Sequence, residues 1–530
     1  MTYKILITDD LSPQSLIKLE EMDDVTFDVV RGLTPEALAK QIPEYDALIV
    51  YSTVTVTEAV FAATNKLKVV GRAGVGIDNI DIKAASMRGV IVMNTPGANT
   101  IATTEHTMAL MLAMCRHLPQ AHTSMKTGEW NRKVFVGRQL YRKTIGIVGM
   151  GRIGTRVARR CQAFGMEVIA YDPYLSDDVA HKLKIKPVDL NDLLSQADFI
   201  SLHAAHTEQT ANLINRENIA KMKDGVRIVN AARGGLIDTD ALVEALKSGK
   251  IAGAALDVFI EEPLAKDSPL LELDNVILTP HLAASTIEAQ RDVGTQVVDQ
   301  VLDALRGKDF RNALNMPIGD VDVLKTLQPY LSVAEKVGSL HAQLADAAIN
   351  RIEIEIKGRE VRDHIKPITV AILKGLLSPV LVETINYINA PLLARKRGIA
   401  VSETQGLPTI EYPNIISCRV AWDGGEQTMA VTLFNEDEPR LVQMDKYRLD
   451  VRPDGVMLVI GGIDIPGFIG HVGTLLGKHN INIAAFRNGR DKPLGNTLSF
   501  LRVDADVPDS VMDALRSLDS VVWVKKVILD

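Results

Sequence analysis

Cysteine is scarce in this chain. Cys115, Cys161 and Cys418 are the only three among 530 residues and stand far apart, which excludes a disulfide framework and a thiolate metal cluster. A reducing compartment, the cytoplasm, is the expectation. Long apolar runs are missing as well, none approaching the roughly twenty residues that span a bilayer. The opening MTYKILITDD lacks the charged-then-apolar pattern of a signal peptide and reads as a strand. There is no surplus of positive charge. A formal net charge of −7 leaves no broad basic field for nucleic acid. Low-complexity tracts are absent too. What remains is an ordinary globular composition, 46% apolar and 24% charged, with length for about three or four domains.

The most informative stretch runs from Lys143 to Asp172, KTIGIVGMGRIGTRVARRCQAFGMEVIAYD. Ile145–Val148 is apolar, β-branched and too short for a helix, so it reads as a buried strand. It stops at Gly149, Gly151 and Gly154, spaced G-x-G-x-x-G, after which Ile153, Val157, Cys161 and Phe164 share one helical face. A second apolar strand, Val168–Tyr171, ends in Asp172. Strand, glycine turn, helix, strand and terminal acid make up the dinucleotide-binding unit. Gly149 permits the tight turn, Gly151 the approach of a pyrophosphate, and Gly154 close packing of helix on strand. Phosphates suit the free N–H groups at the helix start. Asp172 accepts from a ribose and repels a 2′-phosphate, so the cofactor expected is NAD rather than NADP.

Before that unit, residues 1–98 alternate strand and helix patterns, a parallel α/β layout. Pro35 after Thr34 suits a first helical position. The loop Gly71-Arg72-Ala73-Gly74-Val75-Gly76 follows a strand. Its N–H groups can hold a carboxylate, with Arg72 adding charge. A helix is expected from Thr100 to about Leu118, then a polar segment with Trp130, Arg132 and Lys133. That segment reads as a subunit contact, a lid or a structural anchor.

Beyond the glycine turn, Asp198–Leu202, Val226–Asn230, Ala252–Val258 and Val276–Thr279 bring the nucleotide sheet to six strands. Arg233, Glu262 and His281 follow three successive strands. Such positions converge on one crevice. A guanidinium pairs bidentately with a carboxylate, and an imidazole exchanges a proton near neutral pH. Glu262, bonded to His281, favours the imidazolium, and Asp257 is placed to orient a nicotinamide carboxamide.

The segments GMGRIG, NAARGG, ALDVFIEEP and TPHLAAS resemble the signatures of the D-isomer-specific 2-hydroxyacid dehydrogenases. RAGVGIDNID, MNTP and EHT resemble the branch that oxidises 3-phospho-D-glycerate to 3-phosphohydroxypyruvate, the first step toward L-serine. The resemblance covers about residues 1–316. It implies that Arg233 binds substrate, His281 is the proton donor and acceptor, and Glu262 supports the histidine. It implies NAD contacts from Arg152, Ile153, Asp172, Ala231, Ala232, Arg233, Asp257, His281, Leu282, Ala283 and Ala284. Substrate contacts fall to Arg72, Ala73, Gly74, Arg132 and Arg233. The implied fold class is α/β: a split, flavodoxin-like substrate domain (1–98 and 286–316) carrying an inserted Rossmann domain (99–285). Two positions depart from that branch, which usually has Arg where this chain has Tyr51 and Lys where it has Thr55. Ala204 replaces a frequent Thr. Another D-2-hydroxy acid, unphosphorylated or derived from 2-oxoglutarate, stays open as substrate, and so does a non-catalytic amino-acid sensor that retains NAD.

Residues 317–452 carry no nucleotide motif. VRDHIKPITVAILKGLL and NYINAPLLARKRGIAV resemble the α+β intervening domain of long family members, which is held to bind an anionic substrate or effector. Arg440, Lys446, Arg448 and Arg452 gather near its end, as an anion site or as a solvated face. Residues 453–530 follow the β-α-β-β-α-β plan of a ferredoxin-like fold. DIPG and NINI resemble an ACT regulatory module, in which Asp464 and Asn482 correspond to residues that bind L-serine. Gly462 replaces a polar or aromatic residue often found there. Exposed ACT edge strands favour a homo-oligomer, dimer or tetramer.

Overall fold

The computed structural model describes residues 2–318, 321–407, 411–435 and 437–529. Its first sheet has five parallel strands: Tyr3–Ile7, Val25–Val29, Ala47–Val50, Val69–Arg72 and Ile91–Asn94. They lie in the order second, first, third, fourth, fifth, the flavodoxin-like arrangement. Every residue of Ala47–Val50 is buried, as expected of a parallel strand covered by helices on both faces. Two of those helices start on side-chain caps: Ser12 accepts from the N–H of Ser15, and Thr34 from that of Ala37. A proline in the first turn of each helix removes a donor that would have no partner. A later helix, Ile287–Leu305, returns to this sheet and contributes Val293, Val297, Val298 and Val301 to its core.

Between these segments the chain builds a second parallel sheet from Thr144–Val148, Glu167–Tyr171, Lys186–Pro187, Phe199–Leu202, Val226–Asn230, Ile251–Leu256 and Val276–Leu278. In space they run seventh, sixth, fifth, fourth, first, second, third. The six expected strands are present, and a seventh joins them. Lys186–Pro187 is a two-residue edge strand with both residues exposed, too short and too polar to leave a pattern. The order reverses between Thr144–Val148 and Phe199–Leu202, the switch point where such sheets bind ligands. Helix Thr100–Arg116 carries the chain into this sheet and ends at His117 in the left-handed region (φ 49°), earlier than the pattern suggested.

The third sheet runs Ala400–Gly406, Ile349–Gly358, Asn414–Trp422, Gly425–Phe434, Glu438–Met444 and Tyr447–Val451, with only the first pair parallel. Helices Val321–Leu344 and Ile365–Leu377 cross its apolar face. A Cβ on Gly375 would stand 1.9 Å from the Glu335 carbonyl oxygen, so the two helix backbones touch where side chains are missing. The last sheet, Gly455–Ile463, Ile483–Arg490, Asn496–Val503 and Val521–Leu529, is antiparallel in the order second, third, first, fourth. With helices Phe468–Lys478 and Asp509–Arg516 it completes the ferredoxin-like plan. Met457, Val459, Leu498, Phe500 and Val527 of this sheet join the third sheet's core. No helix among the described residues is long and apolar enough to cross a membrane.

Candidate active site

The cofactor side is built around the glycine turn. Gly149 has φ 94°, and a Cβ there would lie 2.7 Å from the His203 carbonyl. A Cβ on Gly154 would stand 2.1 Å from the Gly149 carbonyl oxygen, so helix Arg152–Ala163 can start this close to the strand only on a glycine. Gly151 differs, because nothing lies within 4 Å of where its Cβ would be. No side chain caps the helix start. The first N–H groups, around Arg152 and Ile153, therefore face open space at the positive end of the helix dipole, a fit for a pyrophosphate. Asp172 ends the next strand and holds the turn itself: Oδ2 accepts from Met150 N (2.7 Å) and Oδ1 from Tyr174 N (2.8 Å). Each oxygen keeps a further lone pair for a ribose hydroxyl. Ala231, Ala232 and Arg233 form the turn after Val226–Asn230. Asn230 staples it, accepting from Ala232 N and donating to the Arg233 carbonyl.

The proton-transfer side lies on neighbouring strand ends. His281 Nδ1 is 2.7 Å from Glu262 Oε2, and Glu262 Oε1 accepts from Phe259 N (3.0 Å). The Arg233 turn packs on that same loop, since a Cβ on Gly234 would meet the Phe259 carbonyl carbon at 2.0 Å. His281 sits at φ 55°, uncommon for a non-glycine residue. It is held there by its own N–H bonding the Asp257 carbonyl (2.9 Å). The Asp257 side chain is fully buried and accepts from Leu282 N, Ala283 N, Thr279 Oγ1 and the ring of His106. Burial pushes its carboxyl up, but those bonds outweigh burial and hold it below the usual range. Asp257 thus serves as the anchor of the 281–284 turn, a task the sequence reading, which aimed it at a carboxamide, did not include. His106 and Asn230 were also missed; both act through other residues.

Near Arg233, Arg72 lies folded over its own loop, donating to the Ala73 carbonyl (2.8 Å). Its Nε is buried without a partner among the described residues. Burial, then the charge of Arg233, pulls its guanidinium down to about 10, so it stays charged at neutral pH. Tyr51 stands nearby, its hydroxyl raised to about 12 by burial and then by Asp9. Arg132 lies in an exposed segment, and no hydrogen bond or ion pair joins it to the cleft among the described residues.

Asp464 pairs with Arg490 (3.2 Å) and Asn482 donates to Asp504 (2.5 Å), so the two engage different partners. Of the basic residues near 440–452, Arg440 and Arg452 line a cavity of about 210 Å³ with Asp450, Arg487 and Arg502. Lys446 and Arg448 turn instead to Asp491 and Glu411. Arg487 and Arg502 come from the last sheet, which no local charge cluster could reveal.

A Rossmann sheet with an open glycine turn, and a histidine–carboxylate pair at its carboxyl edge, defines an NAD-dependent dehydrogenase. Residues 108–283 match the NAD-binding domain of the D-isomer specific 2-hydroxyacid dehydrogenases, 326–445 the D-3-phosphoglycerate dehydrogenase intervening domain, and 456–520 the ACT domain. The chain is 45% identical to a D-3-phosphoglycerate dehydrogenase of Methanocaldococcus jannaschii, over 98% of both chains. With that of Bacillus subtilis it shares 40%, over 99% of this chain and all of the other. Among solved structures, D-lactate dehydrogenase from Aquifex aeolicus, complexed with NAD and lactic acid, aligns with a TM-score of 0.53 at 31% identity, covering 57% of this chain and 96% of that one. The chain belongs to the D-isomer specific 2-hydroxyacid dehydrogenase family, among its long D-3-phosphoglycerate dehydrogenase members.

Proposed function

We propose that the protein oxidises 3-phospho-D-glycerate with NAD to 3-phosphohydroxypyruvate, NADH and a proton, the entry to L-serine synthesis. The observation that carries this is the 2.7 Å contact of His281 with Glu262 beside the Arg233 turn. NAD, when bound, supplies the carbon that accepts the hydride. His281 takes the hydroxyl proton at Nε2, because Nδ1 is engaged by Glu262. The carboxylate favours the imidazolium that results. Arg233 grips the substrate carboxylate, with Arg72 and the Ala73–Gly74 backbone beside it and Arg132 as a further cation. Gly149, Gly151, Arg152, Ile153, Gly154, Asp172, Ala231, Ala232 and the 281–284 turn hold the cofactor.

The division into 1–98 with 286–316, 99–285, 317–452 and 453–530 is part of the proposal, as are a cytoplasmic homo-oligomer and an L-serine site at Asp464 and Asn482. A second reading, an unphosphorylated 2-hydroxy acid as substrate, is favoured by Tyr51, which stands near Arg72 and Asp9 at a position where a cation is usual in the phosphoglycerate branch. Comparing kcat/KM for phosphohydroxypyruvate, hydroxypyruvate and 2-oxoglutarate decides between them. The phosphorylated acid is expected to lead by about a hundredfold or more, the worth of one or two charge-assisted contacts. Equal values for the first two would transfer the assignment to the second reading.

A further inference from the structure

Two guanidinium groups meet over the loop Arg72–Asp78, and two glycines make the space for them. A Cβ on Gly74 would lie 1.6 Å from Arg72 Nη1, and one on Gly76 would lie 2.0 Å from Arg233 Nη2. Arg72 belongs to the first sheet, whereas Arg233 reaches across from the second. Two like charges on one short loop repel, and Arg233 is one cause of the depressed guanidinium of Arg72. The counter-charge is Asp78. Its Oδ2 accepts from Arg233 Nε at 2.9 Å, and its field also favours the charged form of Arg72. The Arg233 Nη1 group donates to the Ala232 carbonyl at 2.7 Å.

The donors of Arg233 are therefore divided. Nε is held by Asp78 and one Nη1 hydrogen by Ala232, so among the described residues the end of the fork formed by Nη1 and Nη2 stays free for a ligand. We infer that Asp78 is a positioning residue: it clamps Arg233 by Nε across the cleft, so that the Nη1/Nη2 edge, seated on Gly76, meets the substrate carboxylate. This rests on Arg233 being the carboxylate-binding group proposed above. A carboxylate gripped through that edge is turned relative to one gripped through Nε, and so is the carbon next to it. Asp78 thereby sets which way the reacting carbon faces.

The test uses the full-length enzyme, NADH and phosphohydroxypyruvate. Asp78 is mostly exposed, so its substitution leaves the core alone. Asp78→Ala is expected to raise KM for the oxoacid and lower kcat by about tenfold each, the worth of a lost charge-assisted bond, while the NADH dissociation constant moves less than about twofold. Asp78→Asn keeps an oxygen that accepts from Nε and is expected to restore most of the loss. Gly76→Ala pushes only the end of a flexible side chain and is expected to imitate Asp78→Ala. In an Arg233→Ala background, Asp78→Ala is expected to add less than about twofold, because the two residues act as one unit. Full additivity in that cycle, or wild-type KM and kcat in Asp78→Ala, overturns the inference. An Arg233→Ala enzyme that keeps wild-type kinetics overturns instead the site assignment on which it rests.

Discussion

At the scale of single residues the site turns on His281, which is in place only because several others hold it. Its backbone is fixed in the left-handed region by the Asp257 carbonyl, and its ring is oriented by Glu262. His281→Ala is expected to cut kcat by about 10²–10⁴-fold, the usual worth of positioned acid–base help. NADH affinity, measured by fluorescence titration, is expected to survive, because the substitution removes the ring and keeps both the glycine turn and the 281–284 backbone, which the Asp257 carboxylate holds at Leu282 N and Ala283 N; equal loss of both would make His281 a structural residue. Arg233, Glu262 and His281 were legible in the sequence because each follows an apolar strand, and strand ends of a doubly wound sheet converge. Asp78, His106 and Asn230 were not. Each acts on another residue from more than one sequence element away or through a backbone bond, and nothing in local composition marks that.

At the scale of elements the glycine turn offers a contrast between two positions of one motif. Gly154→Ala drives a Cβ to 2.1 Å from a backbone oxygen that cannot step aside, and is expected to cost about 1–3 kcal/mol of overpacking as well as cofactor affinity. Gly151→Ala meets nothing within 4 Å, so its melting temperature is expected to match the wild type. Its added methyl stands where a phosphate approaches, and NADH binding is expected to weaken by about tenfold, or 1.4 kcal/mol. Calorimetry and titration on the same preparations separate the two effects. NADH bound to Gly151→Ala as tightly as to wild type would move the phosphate seat elsewhere. Strand and helix identities were mostly readable here, since parallel strands are continuous apolar runs and Ser12 and Thr34 mark helix starts. The edge strand Lys186–Pro187 was not, because pairing alone makes it a strand.

At the scale of the whole molecule the four sheets do not stand apart, and the third carries a buried group that ties stability to pH. His341 lies on the long helix Val321–Leu344 with no exposed surface, Nε2 3.1 Å from the Cys418 carbonyl and Nδ1 3.0 Å from the Gln427 amide. Burial pulls it from 6.5 down to about 4, against the two hydrogen bonds, so the ring is neutral in the native state. A neutral ring donates only once, so its single N–H serves one of two facing acceptors, the Cys418 carbonyl or Gln427 Oε1. Above pH 6.5 neither native nor unfolded histidine is charged, and the site is neutral to stability. Below it the unfolded chain takes up a proton that the native one refuses, and stability falls until the native group titrates near 4. By pH 5 the loss reaches about 2 kcal/mol at 1.36 kcal/mol per unit. Urea unfolding at pH 7.5 and pH 5, followed in the wild type and in His341→Gln, measures this. The glutamine keeps one donor and one acceptor without a titrating ring, so the variant is expected to lose about 2 kcal/mol less than the wild type over that interval. An identical loss in both proteins would show that the histidine is charged or solvated in the native state, and that acid acts on this sheet through other groups.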